Sequence, residues 1–185
     1  MPFLSDQELK ARRFKYLGKQ VKISCLASIY NADQISIGDY SRIDDFCVLS
    51  GKITIGRNVH IAVFNNLAGG EKGITMDDFS GLAYGCHVFT QSDDYTGISL
   101  TNPTVPDQFK MEKKAAIHIK RHVIVGTNSL IFPGVILEEG CSVGALAMVV
   151  HDTEPWMIYT GVPAKAVKPR KKDLLELEKK YLEQE

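Results

Sequence analysis

The sequence lacks an excess of either charge. Its 22 Lys and Arg balance 22 Asp and Glu, for a formal net charge of zero. Without a basic block it has no electrostatic footprint for nucleic acid. No apolar run comes near the ~20 residues that span a bilayer. The opening Met-Pro-Phe-Leu-Ser-Asp-Gln-Glu has neither the basic nor the apolar region of a secretory signal. A cytoplasmic protein is the expectation. Cysteine is scarce, four in 185 residues, which excludes a disulfide scaffold. Hydrophobic residues make up 44% and charged residues 24%, enough to bury a core and to exclude wholesale disorder. The length fits one domain with short appendages.

What the chain has is a period of six. Stepping by six from Ile37 gives Ile43, Leu49, Ile55, Ile61 and Leu67. The series resumes at Met76, Leu82 and Val88, and again at Ile119, Val125, Ile131, Leu137, Val143 and Val149. Two residues before each lies a small or β-branched position, among them Ser41, Cys47, Asn65, Ser80, Cys86, Ser129 and Cys141. Neither a helix nor a plain strand has this period. A coil of three short flat faces, roughly eighteen residues around, does, with both positions of each hexad pointing inward. Gly or Asn after the aliphatic residue, as in Ile37-Gly38 and Ile55-Gly56, is read as easing a tight corner through an unusual backbone conformation. The predicted fold class is an all-β solenoid of about five coils, with Ile23 and Ile29 continuing the inward series into a ragged first coil. The four cysteines, Cys25 included, are read as small buried hydrophobes.

Three segments break the rhythm. Ser5-Asp6-Gln7-Glu8 is a capping box and starts a short helix expected to reach about Leu17. After Pro169, apolar residues recur at helical spacing, predicting an amphipathic C-terminal helix that covers the open end of the stack. Residues 89–116 form a polar, proline-containing excursion of the kind that carries function. The division is thus 1–19 helical, 20–168 coiled with the loop at 89–116, and 169–185 helical.

The repeat over roughly 20–168, together with Gly161-Val162-Pro163-Ala164-Lys165, resembles the hexapeptide-repeat acyltransferase superfamily. Its sugar-directed groups, the galactoside/maltose acetyltransferase-like and polysaccharide O-acetyltransferases, are the most similar. The resemblance implies a left-handed parallel β-helix, a homotrimer with sites in the clefts between copies, and acetyl-CoA as donor. No metal and no membrane insertion are expected.

The chemistry needs a base for the acceptor's proton, and histidine suits this near neutrality. The family's usual loop histidine aligns with Asp93 here, so the base is sought elsewhere. His60 points outward two residues from Ala62, where the family has an acceptor-binding asparagine. A His60 base oriented by Asp93 or Asp94 of a neighbouring copy is the leading arrangement, with His87 the second candidate. Asp93, Asp94 and Tyr95 are read as acceptor contacts, or equally as turn caps in the case of the two aspartates. His118 and His122 fall in different hexads and make a weak metal pattern. For the coenzyme, the backbone at Gly126, Thr127, Gly144 and Ala145 is expected to line the pantetheine arm. His151 is expected beside it, and Lys165, Lys168 and Arg170 at the phosphates. The alternative for these cations is a solvated face.

The first reading is O-acetylation of a sugar or polysaccharide precursor. The alternative is N-acetylation of a nucleotide sugar, where an amine attacks with less help from a base. A non-catalytic or metal-binding β-helix comes last.

Overall fold

A computed structural model describes residues 2–184. Its strands are mostly two or three residues long, because each coil turns a corner about every six residues. They stack in parallel register into three faces. The first carries Tyr16–Leu17, Ile35–Ile37, the end of Val48–Ile55, the end of Asn66–Met76, Ile117–Ile119 and Ile136–Leu137. The second carries Lys22–Ile23, Arg42–Ile43, His60–Ile61, Gly81–Leu82, Ile124–Val125, Ser142–Val143 and Met157–Thr160. The third carries Ser28–Ile29, the starts of Val48–Ile55 and Asn66–Met76, His87–Phe89, Leu130–Ile131 and Met148–Val149.

The expected all-β solenoid therefore forms, with more coils than the hexad count implied. The supposedly ragged segment from Tyr16 is a full coil, and Met157–Thr160 begins a seventh. All fifteen aliphatic positions of the series are buried, none more than 3% exposed. Polar residues at the second inward position are satisfied inside the stack. Asn65 Nδ2 donates to the carbonyls of Ala62 (2.7 Å) and Ala83 (2.8 Å), while its Oδ1 accepts from the Cys86 amide (2.9 Å). Ser41 Oγ donates to the Gly56 carbonyl and accepts from the Val59 amide. Among the described residues no buried side-chain polar atom lacks a partner, which avoids the penalty of an orphaned group.

The glycines after the aliphatic positions serve a different purpose from the one expected. The left-handed backbone falls two residues later, at Tyr40, Asn58, Asn128 and Leu146. Gly38 is required by close approach, since a Cβ there would lie 2.5 Å from the Gly56 carbonyl carbon of the next coil. Gly140 meets both demands, with φ +68° and the Trp156 ring where a side chain would go.

Three further expectations change. Helix α1 spans only Asp6–Ala11, although its Ser5–Glu8 capping box forms; Tyr16–Leu17 instead joins the first face, where its backbone finds strand partners. Helix α2, Leu174–Leu182, does not cap the open end. Lys165–Pro169 folds antiparallel onto Met157–Thr160 there, and α2 lies along the second face. Cys25 is exposed at a corner, whereas Cys47, Cys86 and Cys141 are buried as expected.

The excursion leaves the third face through an antiparallel ribbon, Gln91–Ser92 against Lys113–Lys114. No helix among the described residues is long and apolar enough to cross a membrane.

Candidate active site

The second face is the one that gathers candidate chemistry. Its outward ladder runs Lys22, Arg42, His60, Gly81 and Ile124, each opposite the next in register. His60 lies with its side chain half exposed, and its Nε2 is 2.8 Å from Asp44 Oδ2. Asp44 is 3% exposed and also accepts from Arg42 Nε at 2.5 Å. Burial opposes the charge on Asp44, but the hydrogen bonds from Arg42 and His60 outweigh it and hold the carboxyl below its ordinary range. An ionised carboxylate only accepts, so the bond to Asp44 places the His60 proton on Nε2 and leaves the Nδ1 lone pair for a base's work. Ala62, buried, sits one residue beyond Ile61 on the same stretch.

A groove of about 660 Å³ lies beside this pair, between the second face and α2. Its lining includes His60, Ala62, Leu82, Tyr84, Ile124 and Leu177. Polar ties hold α2 over it. His122 Nε2 meets Glu178 Oε2 at 2.9 Å, Arg121 pairs with Glu178 and Asp78, and Asn58 Nδ2 donates to the Tyr181 hydroxyl at 3.1 Å. Phe79 stacks on the His122 ring and meets Tyr181 edge-on.

The other predicted site residues scatter. Within one chain neither Asp93 nor Asp94 bonds to His60; both are engaged in the loop. Asp94 accepts from the amides of Thr96, Ile98 and Ser99 and from the hydroxyls of Thr96 and Ser99; these bonds, those from Thr96 above all, push its carboxyl down to about 2. Asp93 accepts from the Asn102 amide. Tyr95 is 90% exposed. His87 is exposed on the third face, away from the groove lining. His118 pairs with Asp77, as His122 does with Glu178. No cluster of three or more potential metal-ligating side chains occurs among the described residues.

On the coenzyme side, the amides of Gly126 and Gly144 already donate to the Val143 and Tyr159 carbonyls of the next coil. His151, Lys165 and Lys168 are exposed. Arg170 is not available with them, because its Nη1 donates to the carbonyls of His122, Gly140 and Cys141, and burial lowers its pKa.

No protein-family model matches the chain. Whole-chain relatives do. A dTDP-4-amino-4,6-dideoxy-D-glucose acyltransferase of Escherichia coli is 40% identical over 181 residues, 96% of this chain and 94% of the relative. The chain belongs to the hexapeptide-repeat acyltransferases. It also superposes, with a TM-score of 0.98 and 47% identity, on AntD, an N-acyltransferase from Bacillus cereus solved with dTDP and 3-hydroxybutyryl-CoA. That match covers 100% of this chain and 98% of AntD. A single-residue AntD variant solved with dTDP-4-amino-4,6-dideoxyglucose and coenzyme A matches equally well over 100% and 99% of the two chains.

Against this acyltransferase frame, the residue missed from sequence is Asp44. A signal was present: stepping back one eighteen-residue coil from Ala62 lands on it, and the Asp44 amide bonds to the Ile61 carbonyl. Glu178 and Tyr181 had no comparable signal, since nothing local says where a helix after the last coil will lie.

Proposed function

We propose that this acyltransferase moves an acyl group from a coenzyme A thioester to the amine of an amino sugar carried on a nucleoside diphosphate. The observation that carries this reading is the whole-chain likeness to the dTDP-amino-sugar acyltransferase and to AntD. It favours the amine acceptor over the hydroxyl acceptor that the sequence reading placed first. Acetyl stays one admissible acyl group among others.

The donor supplies the acyl group as an activated thioester. Asp44 holds His60 and balances the imidazolium charge, while Nδ1 takes the proton that the amine loses on acylation. Lys165 and Lys168, exposed on the edge strand Lys165–Pro169, meet the coenzyme phosphates. With the Gly126 and Gly144 amides spent, Thr127 and Ala145 are left to line the arm, near His151. The loop residues Asp93, Asp94 and Tyr95 reach the acceptor from a neighbouring copy in a homotrimer. Support for association comes from the corner between the second and third faces. Phe46 and Phe64 stack there at 5.1 Å, both more than half exposed and both with left-handed backbone, which bulky residues resist.

The test is coenzyme A release from acetyl-CoA and butyryl-CoA with dTDP-4-amino-4,6-dideoxyglucose, against the same nucleotide sugar bearing a hydroxyl in place of the amine. Turnover only with the amine is expected. His60→Ala should lower kcat by about 10²–10⁴ with an unchanged thermal midpoint. Light scattering should give three copies per particle. Turnover with the hydroxyl acceptor alone would return the function to O-acylation, and turnover with neither would end the reading.

A further inference from the structure

The groove beneath α2 is open on one side, with Leu177 65% and Ile124 48% exposed, and its unpaired lining is mostly apolar. Its polar side chains are consumed by one another or by backbone. Ser80 donates to the Asp77 carbonyl, Asn58 bonds to Tyr181, His122 to Glu178, and Arg170 to three carbonyls. The hydroxyl of half-exposed Tyr84 and the ring of His60 are what remain. The apolar side chains on its walls include Phe79, Ile124, Leu174 and Leu177. In the outward ladder, Gly81 stands between His60 and Ile124 and presents no side chain to the groove floor.

A sugar or a diphosphate put here would lose water and find few donors or acceptors in return, at a cost of several kcal/mol per charged or polar group. A hydrocarbon chain loses nothing and gains burial. Of the parts of the two substrates, the acyl chain is the one that suits this surface, and the groove runs to His60 and Ala62, where the transfer is placed. We infer that the groove under α2 holds the acyl chain of the donor, and that Leu177 on α2 sets how long that chain is. The inference rests on the proposed site at His60. It gives α2 a role in specificity, where its position on the second face alone would suggest only a strap.

The test is calorimetric titration of acetyl-CoA, butyryl-CoA and hexanoyl-CoA into the full chain, wild type, Leu177→Trp and Leu177→Ala, followed by kcat/KM with the amine acceptor. Two further buried methylenes should make butyryl-CoA bind roughly tenfold more tightly than acetyl-CoA. Leu177→Trp, which fills the groove, should erase that difference. Leu177→Ala should shift the preference towards hexanoyl-CoA. Equal binding of all three donors to the wild type would overturn the inference. So would a butyryl preference that Leu177→Trp leaves intact, because the chain would then lie elsewhere. A Leu177→Trp that weakens all donors alike would show a merely structural helix and would also overturn it. Binding of none of the donors would instead sink the acyltransferase mechanism proposed above, which separates the two failures.

Discussion

The coil stack and the excursion at 93–112 are built on opposite principles. In the stack the fifteen aliphatic positions of the series are buried, and the inward polar groups Ser41, Asn65 and Ser129 bond within it. In the excursion Tyr95, Ile98, Leu100, Phe109 and Met111 are all more than half exposed, and shape comes from local bonds to Asp94, Asp93 and Asn102. The stack carries its own burial. The loop is held in shape without it, so its apolar side chains remain available to a second copy.

The largest effect should come from cutting the column. Leu49→Ala, at a fully buried position, should cost about 2–5 kcal/mol in urea unfolding. Leu100→Ala in the loop, already 58% exposed, should cost less than about 0.5 kcal/mol. Equal costs would mean that the loop is part of the cooperative core.

A smaller and local effect should follow Asp94→Asn. The Thr96, Ile98 and Ser99 contacts would weaken, and limited proteolysis within 93–112 should quicken while the global unfolding midpoint stays put. The pH dependence has a fixed sign. The folded carboxyl is depressed from 3.8 to about 2, so its contribution is fully present above about pH 4 and is lost as pH falls towards 2. Proteolytic protection of the wild-type loop should decline in that window, and that of Asp94→Asn should not.

The smallest perturbation sharpens the contrast at single atoms. One thiol, Cys25, should react promptly with a disulfide reagent in the native protein. Cys47, Cys86 and Cys141 should wait for unfolding, because burial raises all three thiols and pushes Cys47 up to about 11.

Much of the fold was legible because a solenoid repeats one local rule. An aliphatic residue every six positions needs no knowledge of distant sequence, and the fifteen positions chosen on that rule alone are all buried. Where the rule was applied with the wrong reason, at Gly38 and Gly56, the position was still right, since closeness between coils and backbone handedness both select small residues nearby. Cys25 went wrong because the first coil runs longer than eighteen residues: Ile23 pairs with Ile43, so the hexad phase slips and Cys25 falls at an exposed corner.

The candidate site was only half legible. His60 and Ala62 stood out because the hexad phase says which side chains face outward and the family resemblance says which strand matters. Within one chain the carboxylate beside His60 is Asp44, one coil earlier, which sequence inspection passed over because it compares neighbours while stacking places residues about eighteen apart in contact.

By itself, then, the sequence determined the repeat, its inward positions, the place of the excursion and the acyltransferase resemblance, all consequences of short-range periodicity and local motifs. Only the tertiary structure decided that Asp44 holds His60, that Arg170 is spent on three carbonyls, and that α2 turns back along the second face to wall a groove. Each of these depends on contacts between segments tens of residues apart, which no local pattern encodes.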